Sequence, residues 1–170
     1  MILLRIQELR REASTGTFVS KDEIALEAYN YAASTVSSKL SEAVDQEQSA
    51  SGRLIAFFRV YGDVVNNPPF IGGCPMQNTA VESDDTHTEL RDRARQGLHN
   101  FLDLMKGIIS DGIRAGEFKA DLDSEALASF AFSLLEGGIL LSKLDGDNKH
   151  MHTNTAIFSS YLEQCCLKSG

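Results

Sequence analysis

The run from Asp123 to Leu144, DSEALASFAFSLLEGGILLSKL, constrains this chain more than any other stretch. Asp123 is a good N-cap, and Glu125 stands in the first turn, where the positive end of a helix favours a carboxylate. Between Ala126 and Ser142 the only charged residue is Glu136. Leu127, Phe130, Ala131, Leu134, Leu135, Gly138 and Leu141 form one stripe at helical spacing, and Phe132, Ile139 and Leu140 fall outside it. The run predicts a helix that is apolar nearly all round, and such a helix needs cover on more than one side. In a chain of 170 residues one cover is the chain's own core. A second copy of the chain is the expected source of the other. A membrane span is the weaker reading, because the run is slightly short, carries Glu136 and several Ser, and has no apolar companion elsewhere.

The remaining stretches also read as helices. Residues 2–12 place Ile2, Leu3, Ile6 and Leu9 on one side. Ser20-Lys21-Asp22-Glu23 matches a capping box, and the helix behind it carries Ala25, Ala28, Tyr29, Ala32, Val36, Leu40 and Val44 before fading at Asp45. Ser49 caps a dense apolar run through Val65, which Asn66-Asn67-Pro68-Pro69 stops. Pro75 suits the first position of a short helix. Thr86-His87-Thr88-Glu89 is a second capping box, opening a helix that reaches about Ala115 with Gly116 as its terminator. A last helix is expected from about His152 to Cys166. Alternating β-branched strand patterns are missing, so the fold class is all-α.

Charge and chemistry exclude several functions. A net charge of −8 opposes a broad nucleic-acid surface, which needs clustered Lys and Arg. Three Cys, two of them adjacent, make no disulfide framework and point to a reducing cytoplasm, and the short apolar start followed by Arg5 does not read as a signal peptide. No Gly-rich phosphate loop, nucleophile elbow or His-Glu-x-x-His occurs, so no catalytic residue and no cofactor are assigned. Cys165-Cys166 beside His150 and His152 is poor chelating spacing, and no metal is expected.

Ser20-Lys21-Asp22-Glu23-Ile24, Gly73-Cys74-Pro75, Glu89-Leu90-Arg91, Ala115-Gly116-Glu117-Phe118, Asp121-Leu122-Asp123 and Leu135-Glu136-Gly137-Gly138 follow one another in an order and spacing that resembles TetR/AcrR-type transcriptional regulators. The resemblance runs from about residue 13 to 165. It implies a regulatory domain of about six to seven helices that binds an effector, with its last two long helices pairing across a two-fold axis into a four-helix bundle. Ser14-Thr15-Gly16-Thr17-Phe18 is similar to the start of a recognition helix, but only 19 residues precede Ser20. By the family pattern residues 1–19 are then a remnant of the DNA-binding head and residues 20–170 the effector-binding and dimerisation domain. DNA binding would need a complete head, so this chain is expected not to hold an operator specifically.

Two functions follow as expectations. The first is a cytoplasmic regulator subunit, a repressor, that forms a homodimer and binds a small, largely apolar effector. The alternative is an interaction protein that heterodimerises with full-length relatives and titrates them. The expected pocket lies between Phe57, Phe58 and Tyr61 on one side and Leu98, Phe101, Leu102 and Met105 on the other, closed by Phe130 and Leu134. Asn78, His99 and Asn100 are its polar candidates. Ala131, Leu135, Gly138, Ile139, Ser142, Phe158, Tyr161 and Leu162 are the expected dimer interface. Cys74 reads as a packed thiol, with a redox role as the rival because a helix start at Pro75 favours the thiolate. Glu136 reads as a paired or hydrogen-bonded carboxylate near the helix surface, with a pocket acid as the rival.

Overall fold

The computed structural model describes residues 21–82 and 87–167. The helix expected over 2–12, the remnant head, Ser20 and Thr86 lie outside the described residues.

Helix α1 spans Lys21–Asp45 and buries Tyr29, Ala32, Val36, Leu40 and Val44, the stripe that its spacing predicts, while Ala28 is exposed. Helix α2 spans Ala50–Val60, with the Ser49 hydroxyl accepting from the Gly52 amide at 3.0 Å. It stops five residues short of the expected Val65. The amides of Tyr61 and Gly62 bond back only three residues, to Phe58 and Arg59. Asp63 Oδ1 then takes the Asn66 amide and Asn148 Oδ1 takes that of Val65, so polar side chains replace the helical ladder.

Helix α3 spans Pro75–Glu82, and α4 spans Thr88–Arg114. The described N-cap of α4 is His87, whose Nδ1 accepts from the Leu90 amide at 3.1 Å. Its C-terminus is a Schellman turn. Glu117 N–H donates to Gly112 O at 2.9 Å and Gly116 N–H to Ile113 O at 3.0 Å, with Gly116 at φ 76°. Helix α5 spans Ser124–Asp145, capped by Asp123 Oδ1, which accepts from the amides of Glu125 and Ala126 at 3.0 Å each, and closed by Gly146 at φ 68°. Helix α6 spans Lys149–Tyr161, starting three residues before the expected His152, and runs into a π-helical turn at Leu162–Cys166.

Helix α5 packs between α4 and α6, and α2 packs on α1, α4 and α6. The core is continuous: Leu54, Phe57, Phe58, Met105, Ile109, Leu135, Ile139 and Phe158 are all essentially inaccessible. Each such side chain stabilises the fold by roughly 1.5–3 kcal/mol through burial alone. Phe58 stacks on Phe158 with centroids 4.8 Å apart, and Phe57 meets Phe101 edge-on at 5.0 Å. Gly112 admits this density, because a Cβ there would lie 2.5 Å from the Phe118 ring. Among the described residues α5 is the one helix long and apolar enough to cross a membrane; it packs on α4 and α6 and keeps an exposed apolar face.

Candidate ligand cavity

The cavities of this bundle share only part of the predicted pocket's lining. Phe57, Phe58 and Met105 are fully buried in the core and line neither of the two cavities. A cavity of about 300 Å³ opens instead between α1, α3, α4 and α5. Its walls include Tyr29, Val36 and Leu40 of α1, Tyr61 after α2, Cys74 and Met76, Gly97, Asn100, Phe101 and Leu104 of α4, and Leu135 and Glu136 of α5. A second cavity of about 350 Å³ lies between α3, α4 and α5, lined by Met76, Gln77, Arg91, Ala94, Arg95, Leu98, Phe132 and Glu136. Met76 and Glu136 belong to both walls. Gly97 is what lets α1 approach: a Cβ there would stand 2.6 Å from the Tyr29 hydroxyl, which donates to Arg93 O.

The sequence candidates divide among these places. Tyr61 and Phe101 line the first cavity with Asn100, whose Oδ1 accepts from Gln96 Nε2 at 2.8 Å. Leu98 lines the second. His99 and Leu102 lie elsewhere, in a polar depression with Asp103, Lys106 and the start of α5. Asn78 is turned away, donating to Gly72 O at 3.1 Å. Leu134 is partly buried on the core, and Phe130 is 39% exposed, so neither closes the cavity. Tyr29, Met76 and Gly97 were not singled out as site residues in the sequence; Tyr29 follows the core stripe of α1, and only its neighbours reveal the gap beside it.

Glu136 is largely buried, and among the described residues it has no salt-bridge partner. The Cys74 thiol donates to it, but Oε2 is shielded from solvent without a hydrogen bond. Burial raises its pKa to about 7, against a smaller downward pull from Cys74. The shift at Cys74 runs opposite to what a helix start alone would give and agrees with plain packing. Burial and then the Glu136 carboxylate push the thiol pKa up, outweighing the amides of Gln77 and Met76 at the start of α3. Cys74 is 1% exposed and hydrogen-bonded to Glu136, a packed setting that disfavours the thiolate.

The expected dimer residues are also relocated. Ala131, Leu135, Gly138, Ile139, Ser142, Phe158 and Leu162 are buried inside the single chain. A Cβ at Gly138 would stand 2.7 Å from Met151 Sδ, so this glycine seats α6 on α5. The buried Ser142 hydroxyl accepts the Met151 amide at 3.0 Å. Tyr161 remains at the surface, where its ring lies 5.2 Å from Phe130. The apolar surface of α5 and α6 consists of Phe130, Leu140, Leu141, Leu144, Ile157 and Tyr161, with open space over Gly137.

Residues 50–158 match the family described as tetracyclin repressor-like, C-terminal domain. The chain belongs to this TetR family of transcriptional regulators. A TetR regulator from Chloroflexus aurantiacus superposes with a TM-score of 0.86 at 28% identity, covering 93% of this chain and 84% of that one. A TetR-family regulator from Cytophaga hutchinsonii gives the same score and identity, covering 93% of this chain and 79% of that one. The reduced form of NemR from E. coli shares the fold at 16% identity and a TM-score of 0.74, over 88% and 78% of the two chains. No curated protein matches the sequence significantly. The TetR assignment accounts for the six-helix order and for a long apolar helix with one face still uncovered.

Proposed function

We propose that this TetR-family chain is a non-catalytic repressor subunit that forms a homodimer and holds a small, largely apolar effector in the cavity between α1, α3, α4 and α5. The observation that carries the effector reading is the cavity itself: about 300 Å³ walled by Tyr29, Tyr61, Phe101, Met76 and Leu104, with few polar groups. Ligand sites are commonly of this size and character, with a small number of placed polar atoms setting orientation. Here those atoms belong to Glu136, Asn100 and the tyrosines.

The dimer reading rests on the exposed apolar strip of α5 and α6. Phe130, Leu141 and Leu144 on α5 and Ile157 and Tyr161 on α6 are exposed, Phe130 lies against Tyr161, and the open surface at Gly137 allows close helix approach. Large exposed apolar patches on a soluble chain mark interaction sites. Two copies of the pair would form a four-helix bundle. Sedimentation velocity at micromolar concentration tests this: the wild-type chain sediments as a dimer, and Leu141→Glu, which buries an unpaired charge at the contact, sediments as a monomer. A monomeric wild type sinks the dimer reading.

A further inference from the structure

Glu136 is a largely buried acid for which the described residues supply no paired base. On the α2 side it faces Tyr61, whose own pKa is raised by burial and then by Cys74 and Glu136. On the α3 side stand Cys74, which donates its thiol proton, and the uncharged Met76. Tyr29 of α1 lies across the first cavity, donating to a backbone carbonyl. From α4, Arg91 and Arg95 are exposed residues that line the second cavity with Glu136, and Arg95 pairs with Asp92 at 3.2 Å. The two influences on Glu136 are burial and the Cys74 thiol; no cation contributes.

A carboxylate kept from water without a partner is costly. The same group becomes a strong anchor once a cation arrives, because ammonium–carboxylate hydrogen bonds are short and charge-assisted. The walls suit that cation too. Tyr29, Tyr61 and Phe101 border the first cavity and Phe132 the second, and aromatic faces attract ammonium groups. Met76, unbranched and with three rotatable bonds, can shift between the two cavities to admit a head group beside Oε2.

We propose that the effector is a lipophilic amine whose ammonium head pairs with the Glu136 carboxylate while its apolar body lies in the aromatic cavity. This rests on the effector reading above and assigns a chemical class to it. The charge balance has a measurable consequence. Glu136, with its pKa near 7, is about half protonated at pH 7, and an ammonium stabilises the ionised form. Binding then releases about half a proton per site, taken up by the buffer. Affinity falls as pH drops below 7, because the incoming cation must displace a larger fraction of bound proton.

The test is calorimetric titration of the full chain with three probes of one shape: 4-phenylbutylamine, 4-phenylbutanol and 4-phenylbutyrate. The amine binds at least tenfold more tightly than the alcohol, and the butyrate binds weakest. Repeating the amine titration in buffers of different ionisation enthalpy shows the proton release. Glu136→Gln brings the amine down to the alcohol's affinity and abolishes the proton release. Glu136→Asp keeps the charge preference at reduced affinity, which covers the case in which the amide variant folds poorly. An alcohol that binds as tightly as the amine, or an amine preference unchanged in Glu136→Gln, overturns the amine assignment and leaves the cavity reading standing. Failure of all three probes to bind overturns the cavity reading as well.

Discussion

A carboxyl group moved from water into the wall between two apolar cavities favours its neutral form, and Glu136 is held in that condition. Its pKa in the folded chain is about 7, whereas an unfolded chain would titrate it near ~4.3. Between these values the folded state keeps a proton that the unfolded state has lost. Stability therefore falls as pH rises from the lower value to the higher, and the contribution is flat above it. The full loss is on the order of 3 kcal/mol. Glu136→Gln keeps the shape without the titration, so its melting temperature should exceed that of the parent at pH 8, with the gain shrinking toward pH 5. Thermal unfolding followed by circular dichroism at both pH values checks this; a gain independent of pH contradicts it. The thiols give a second expectation at this scale. Cys165 is exposed while Cys74 and Cys166 are buried, so a thiol reagent should modify one cysteine rapidly in the native chain and all three after unfolding. Rapid native modification of Cys74 would show that the cavity wall opens freely.

At the scale of the element, the starts and stops that depend on neighbouring residues were legible in the sequence. Asp123, Ser49, Pro75 and Gly116 mark helix ends by local chemistry, and the structure uses each of them so. What depends on distant residues was not legible. The Glu117 carboxylate, after α4, accepts from the Ala50 amide at 2.7 Å, the Ser51 amide at 2.8 Å and the Ser51 hydroxyl at 2.6 Å, so it caps α2 from across the fold. Burial pushes its pKa up, but the bonds from Ser51 and Ala50 outweigh that and hold it below the usual range. Glu117→Ala should cost about 1–2 kcal/mol, read as a lower denaturation midpoint at pH 7. The difference should narrow as pH falls through the Glu117 titration, since a protonated carboxyl no longer accepts all three bonds. An unchanged midpoint at pH 7 would deny the cap. Helix α5 shows the other limit of the sequence. A helix apolar on every side has no preferred direction, so the pattern could not say that Leu135 and Ile139 face the core while Leu141 and Leu144 face outward. The adjacent glycines were equally undirected: a Cβ at Gly138 would run into Met151, and one at Gly137 would meet open space.

For the whole molecule, the all-α class and the TetR family were legible because caps, breaks and apolar stripes recur in a fixed order. The site was legible only in part. Tyr61 and Phe101 line the cavity, but Phe57, Phe58 and Met105, equally apolar, are consumed by packing. A cavity is the volume that side chains fail to fill, and no single residue's character reports it. The account therefore assigns α5 two roles set by direction, one face closing the subunit and the other joining a second subunit. Leu135→Glu should prevent folding, since Leu135 is 1% exposed, whereas Ile157→Glu should leave helical circular dichroism intact. Native mass spectrometry at micromolar concentration, run with and without 4-phenylbutylamine, tests the claim most directly. The account predicts an ion at twice the 18.6 kDa chain mass that gains up to one amine per subunit, and an intact monomer ion for Ile157→Glu. A wild-type spectrum of monomer alone, with no amine retained, would contradict it.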